Sequence, residues 1–247
     1  QKFAPDGTFL LQWGEPGTGP GQFTTEVTGP SGIAVSRDGF VYVTDMWNHR
    51  IQKFDSRGRF LSMWGTYGTS GDGVFYGPRD VAVDARGNVY VADTGNKRIQ
   101  VFDPDGRFIR EFGGFGALKG EFEEPVGVAI GPDGNVYVAD TGNRRVQVLT
   151  PQGRWIRQVH LLAWNTEYAS TVEPFIAVDS QGRVYVTDSV AGVVHQISSD
   201  GKKVVNWGTK GSGSGQLEKP SGIAVAPDGD VYVADRQLHR ISVFKPH

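Results

Sequence analysis

Five aspartates recur along the chain at intervals of 47 or 48 residues: Asp45, Asp93, Asp140, Asp188 and Asp235. Four are followed five residues later by arginine, giving the pairs Asp45/Arg50, Asp93/Arg98, Asp140/Arg145 and Asp235/Arg240. Two chemistries suit that pattern. Carboxylates repeated at one place in successive units could ligate a metal ion, or each could pair with its own arginine in a bidentate ion pair. We read the second, because a residue present in every copy solves a problem that every copy shares. These eight residues are therefore taken as clips between neighbouring strands, with no metal or cofactor assigned to them. In the fourth copy Val193 stands where the arginine should be.

Other chemistry is sparse. The five histidines are His49, His160, His195, His239 and His247, and cysteine is absent. No His-Glu-x-x-His or Gly-x-Ser-x-Gly occurs, so no catalytic residue is assigned. The missing thiols fit an oxidising compartment. A formal net charge of −2, with acids and bases interspersed, argues against a nucleic-acid partner. No apolar run approaches the ~18 residues of a membrane span, so this segment is not expected to insert into a membrane. Opening on Gln1 without a signal peptide, the chain reads as a mature or excised piece.

The elements that must position the aspartates form a repeat. Each aspartate lies six residues after a turn glycine: Gly39, Gly87, Gly134, Gly182 and Gly229. Thirteen residues after the first four aspartates stand Gly58, Gly106, Gly153 and Gly201, each followed by a fourth segment ending at Trp64, Phe112, Val159 or Trp207. The first strand is Ile33-Ala-Val35 and its copies, and the second is Val-Tyr-Val, as at 41–43 and 89–91. Short β-branched and aromatic runs between Asp-Gly turns are strands. Their near-continuous apolarity predicts strands covered on both faces. A four-stranded unit of this length, repeated, makes a β-propeller. The whole of 1–247 is read as one domain, with units starting near 30, 78, 125, 173 and 220.

The stretches Asp93-Thr-Gly-Asn-Lys-Arg98 and Asp140-Thr-Gly-Asn-Arg-Arg145 resemble NHL repeats, and Asn48-His49-Arg50 is close to the Asn-His-Leu triplet behind that name. The resemblance covers nearly the entire chain. It implies an all-β propeller of four-stranded blades. Such propellers usually have six, whereas five are counted here. The expectation is five blades, with the N-terminal 1–14 pairing as the missing fourth strand of the last one to close the ring; the alternative is a six-bladed parent lacking a blade. The resemblance also implies three functions. One is a binding scaffold for a protein or small ligand, the reading preferred here. Another is a metal-dependent lyase of the amidating type, for which His49, His160 and His239 are the candidates. The third is binding of single-stranded RNA, for which Lys97-Arg98 and Arg144-Arg145 are the basic residues. Part of the fourth unit resembles NHL stretches appended to large bacterial membrane proteins, which implies attachment to a membrane protein and an extracytoplasmic site.

Individual function belongs where the copies differ, and in the loops. The fourth-to-first connections vary most, and Gly211-Ser-Gly-Ser-Gly-Gln216 reads as a flexible turn with no phosphate role. The fourth unit departs furthest, carrying Leu161-Leu-Ala-Trp-Asn-Thr-Glu-Tyr168 in place of the Gly-rich consensus. A contact surface using Trp164, Tyr168 and Phe175 as anchors is expected there. Arg79 and Asp80, at the entry of the second unit, and Trp47 and Arg236, after the strand-end aspartates, are the other candidate binding residues.

Overall fold

The computed structural model describes residues 1–24, 29–161 and 174–245. They divide into two compact units, one of residues 1–96 and 100–110, the other of 97–99 and 111–247. The first unit holds a short hairpin, Lys2–Phe3 with Phe9–Leu11, and then the sheet Ile33–Val35, Val41–Asp45, Arg50–Phe54 and Phe60–Trp64. The sheet Pro78–Val83, Val89–Asp93, Arg98–Phe102 and Phe108–Gly113 follows. Within the second unit lie Pro125–Ile130, Val136–Asp140, Arg145–Leu149 and Trp155–His160, then Ile176–Val178, Val184–Asp188, Val193–Ile197 and Val204–Trp207. The last sheet is Pro220–Val225, Val231–Asp235 and Arg240–Phe244. Strands in these sheets are antiparallel and adjacent in sequence order, so each connection within them is a hairpin. This is the all-β, five-blade propeller architecture, built from four-stranded blades with the fifth three-stranded.

In the second, third and fourth sheets burial grades outward. Second and third strands such as Val89–Asp93 and Arg98–Phe102 are buried at every position. Fourth strands such as Phe108–Gly113 alternate between half-buried and exposed, because an outermost strand meets protein on one face and water on the other. In the first unit the core gathers Tyr42, Ile51, Phe75, Val81, Val89, Val91 and Phe102. Its counterpart in the second unit gathers Ala129, Tyr137, Val146, Ile176, Val184 and Ile197, among others.

The N-terminal segment forms a hairpin of its own, with Phe9–Leu11 paired to Lys2–Phe3 across a tight turn. Backbone hydrogen bonds at Ala4 and Gly7, of 2.8 and 2.9 Å, close that turn.

Candidate functional site

The strand-end aspartates organise the loops beside them. Asp45 Oδ2 accepts from Asn48 Nδ2 (2.9 Å), Arg50 Nε (2.8 Å) and Gln52 Nε2 (3.2 Å), while Oδ1 accepts from the Thr24 amide. Arg50 then donates to the carbonyls of Thr18, Gly19 and Gln22, and Gln52 both donates to Gln22 O and accepts from Gly21 N. The third copy repeats this with Asp140, Asn143, Arg145 and Gln147. Arg145 holds the carbonyls of Ala117, Leu118 and Glu121, and the Arg145–Asp140 pair measures 2.8 Å. In the second copy Asp93 accepts from Asn96, Gln100 and the Tyr76 amide, and Arg98 donates to Glu111. The carboxylates are filled with donors, which is the arrangement of a structural clip.

The clip reaches further than the sequence suggested, because it fastens the fourth-to-first loop as well as the third strand. Asn48 and Gln52 were missed, although their recurrence as Asn96/Gln100 and Asn143/Gln147 was there to be read. The flexible-turn reading of Gly211–Gln216 is also corrected. Thr209–Lys210 and Gln216–Leu217 form a short parallel pair, Gln216 Oε1 accepts from Gly213 N, and Arg240 donates to the carbonyls of Ser212, Gly213 and Gln216. Phe23, Phe75, Phe122 and Leu217 anchor the four Gly-rich loops by burial of the residue that ends each one.

Fastened loops hold apolar side chains out in water. Tyr67 is 62% exposed and Tyr76 44% exposed. Their rings meet edge to face at 5.7 Å, and His49 lies 5.0 Å from Tyr67 and 6.1 Å from Tyr76. His49 occupies a left-handed corner (φ 52°) after a single 3₁₀ turn, and its Nδ1 accepts from Gly77 N at 3.1 Å. Burial pushes the His49 imidazole below its ordinary pKa, against the opposing pull of Asp93 and Asp45. The ring that accepts this hydrogen bond is thus the neutral one, with the proton on Nε2. Trp47, immediately before this corner, is exposed. On the second unit Phe115 and Leu118 are exposed on an equivalent loop.

The last two copies depart from the pattern. Asp188 accepts from the Val190 and Ala191 amides and lies 3.3 Å from His195 Nε2. Ala191, Val193 and His195 stand where the third copy has Asn143, Arg145 and Gln147. His195, itself buried, turns its Nδ1 to Asn206 Oδ1 at 2.7 Å. Among the described residues, the side chains that fasten a loop in the third copy are thus replaced in this sheet by Ala191, Val193 and His195. Asp235 accepts from the amides of Glu218, Lys219, Gln237 and Leu238. Among the described residues it forms no ion pair with Arg240, contrary to expectation, because Arg240 is turned to its loop.

The remaining candidates are scattered. Trp164 and Tyr168 lie outside the described residues. Phe175 is buried and exchanges hydrogen bonds with Thr187, so it supports the sheet from within. Arg79 and Asp80 are buried too, with Asp80 Oδ1 accepting from Val81 N and Arg79 O accepting from Thr44 Oγ1. Arg236 is exposed. His160 pairs with Gln158 at 2.9 Å, and among the described residues no three His, Asp or Glu side chains converge on one point.

Interlocked sheets with fastened loops define a propeller of repeated blades. The NHL repeat model matches residues 28–54, 75–102, 122–149 and 217–244, which are copies one, two, three and five, and the chain belongs to the NHL-repeat β-propellers. It is similar to the E3 ubiquitin-protein ligase TRIM71 of Rattus norvegicus, with 40% identity over 73 residues. That match covers 30% of this chain and 7% of the relative, so it spans a small part of that protein's length. Among solved structures it is similar to virginiamycin B lyase from Staphylococcus aureus (TM-score 0.61, 19% identity, 90% of this chain and 72% of that one). It is also similar to a chain of a nidogen/laminin complex (TM-score 0.63, 18% identity, 88% and 80%). At such identities these two show the fold alone.

Proposed function

We propose that this chain is a non-catalytic binding module that takes a protein partner on the edge bearing the Gly-rich loops. The trio His49, Tyr67 and Tyr76 carries the reading. Three amphipathic rings touch one another, the two tyrosines lie largely in water, and buried side chains fasten the loop beneath them. Aromatic side chains of this kind are enriched in protein interfaces. A loop already ordered in the free protein loses little further entropy on binding. On the second unit Phe115 and Leu118 offer an apolar contact of the same kind, and Trp47 on the first unit and Arg236 on the second, both exposed, are proposed as further contacts of their own units. Trp164, Tyr168 and Phe175 of the fourth copy, and Arg79 and Asp80 of the second, remain proposed binding residues. The relative named a ubiquitin-protein ligase, similar over 73 residues, is in keeping with a protein partner.

The test is a photoreactive residue placed at position 67 to identify the neighbour, followed by titration of that neighbour. The pair Tyr67→Ala/Tyr76→Ala should weaken its binding at least tenfold while leaving the melting temperature within ~2 °C, because both side chains are exposed. Undiminished affinity overturns the reading. A cross-link to RNA whose affinity collapses with added salt would move it to nucleic-acid binding.

A further inference from the structure

A guanidinium presents five N–H groups in a fixed fork, and the clip arginines of the first and third copies use all of them. Arg145 gives Nε to Asp140, Nη1 to the Ala117 carbonyl and to Gln158 Oε1, and Nη2 to the carbonyls of Leu118 and Glu121. Arg50 repeats four of these five contacts, with Asp45 and the carbonyls of Thr18, Gly19 and Gln22. The fifth acceptor differs. Where Arg145 Nη1 finds an amide oxygen at 3.1 Å, Arg50 Nη1 finds the thioether sulfur of Met63 at 3.3 Å.

The two positions are equivalent in register: Met63 stands opposite Gln52, and Gln158 opposite Gln147. At the same place the second copy has Glu111, which accepts from Arg98, and the fourth has Asn206, which stands opposite His195 and meets its ring. Of the four fourth strands described, three therefore put an oxygen at this point, the kind of acceptor a guanidinium binds best. The first puts a sulfur there, which is a weak acceptor. The chain has two methionines, and they differ sharply in access. Met46 is 6% exposed, whereas Met63 is 41% exposed, so an oxidant in solution reaches one sulfur well ahead of the other.

We infer that Met63 is a modification site, at which a peroxide converts the thioether to the sulfoxide and so gives the Arg50 clip an oxygen as its fifth acceptor. The step balances simply. Sulfur attacks the peroxide, the O–O bond breaks, and one oxygen atom is bound to sulfur. Sulfur loses two electrons, and hydrogen peroxide is reduced to water. Rotation of the flexible, half-exposed side chain then brings the S=O oxygen to Arg50 Nη1. Sulfoxide formation commonly disrupts a protein, because it sets a strong dipole among apolar neighbours. At Met63 the dipole meets a cation instead. The loop hung from Arg50 and Gln52 through the carbonyls of Thr18, Gly19 and Gln22 is consequently held more tightly after oxidation than before.

The test is a time course in hydrogen peroxide, with both methionines followed by peptide mass spectrometry. Met63 should convert about tenfold faster than Met46, and equal rates overturn the inference. Protein oxidised at Met63 alone should melt about 1–3 °C higher than the untreated chain. The Gly19, Gly21 and Gln22 amides, each hydrogen-bonded within this loop or to Gln52, should exchange about threefold more slowly. Methionine sulfoxide reductase should return both readouts to their starting values. Met63→Gln should match the oxidised protein without peroxide, because it installs the acceptor of the third copy. Met63→Leu should lose the response. An unchanged or lower melting temperature after conversion of Met63 overturns the inference, and so does an equal rise in Met63→Leu. Tyr67 and Tyr76 enter none of these readouts, so the partner-binding reading stands or falls independently.

Discussion

The third and fourth sheets share one strand plan and differ in how they treat the same buried aspartate. In the third, Asp140 sits among Asn143, Arg145 and Gln147, and those side chains carry its hydrogen bonding outward to the loop 116–121. In the fourth, among the described residues, Asp188 meets two backbone amides and His195, and the side chains of Ala191 and Val193 carry no donor. The strands are indifferent to the change: Val136–Asp140 and Val184–Asp188 are equally buried. What differs is the set of side chains that each sheet offers at its edge. The sheet is thus specified by apolar pattern and turn glycines, while the loop is specified by three polar side chains that can be lost together.

The sharpest way to break this comparison is to remove both aspartates in turn. Asp140→Ala should cost about 3–5 kcal/mol in urea unfolding, because it leaves the buried Arg145 guanidinium without its carboxylate. Asp188→Ala should cost less, about 1–2 kcal/mol, since it removes hydrogen bonds without stranding an arginine. Equal losses would show that the clip adds nothing beyond the aspartate itself.

A second measurement asks whether the two units share one buried-tyrosine chemistry. Burial first, and then nearby carboxylates, push the phenols of Tyr42 and Tyr185 up to about 12. For Tyr42 the carboxylates are Asp105, Asp38 and Asp103; for Tyr185 it is Asp179. The unfolded chain loses these protons near 10, the folded one only near 12, so this stability is complete below pH ~10 and falls as pH rises toward 12. At roughly 1.4 kcal/mol per pKa unit the loss is at most about 2–3 kcal/mol per tyrosine. Tyr42→Phe and Tyr185→Phe should each flatten the alkaline limb of stability against pH.

The comparison can also be sharpened by restoration. Ala191→Asn, Val193→Arg and His195→Gln together should raise the melting temperature by about 2–4 °C if the fourth loop accepts the same clip, as about 1 kcal/mol does in a chain of this size. A fall instead would mean that the guanidinium finds no carbonyls there. The smallest effect belongs to His49. Its pKa is held below 6.5, so the unfolded state takes up the proton first and stability declines as pH drops below that value. His49→Gln should remove this slope while leaving stability at pH 8 nearly unchanged.

Much of the fold was legible because its signals are local and repeated. Val-Tyr-Val between Asp-Gly turns gave strand order and blade content directly. The Asp45/Arg50 and Asp140/Arg145 pairs were legible as clips for the same reason. Their reach into the loops was not, because the acceptors are backbone carbonyls of Thr18, Gly19 and Ala117, which any sequence supplies. The trio of His49, Tyr67 and Tyr76 was hidden for another reason. A left-handed corner brings residues 18 and 27 positions apart into contact, and no periodicity encodes that.

The left-handed corner has a consequence of its own. His49, Lys97, Arg144 and His239 all hold φ between 51° and 59°, while the fourth copy has Gly192 there. A side chain at such a corner is strained, and glycine would relieve the strain. In four copies out of five the chain keeps a basic side chain at that point, aimed from a fixed bend whose direction the backbone sets. Each of these corners is therefore a mount on which the tip can be exchanged, histidine for lysine or arginine, while the framework behind it stays the same.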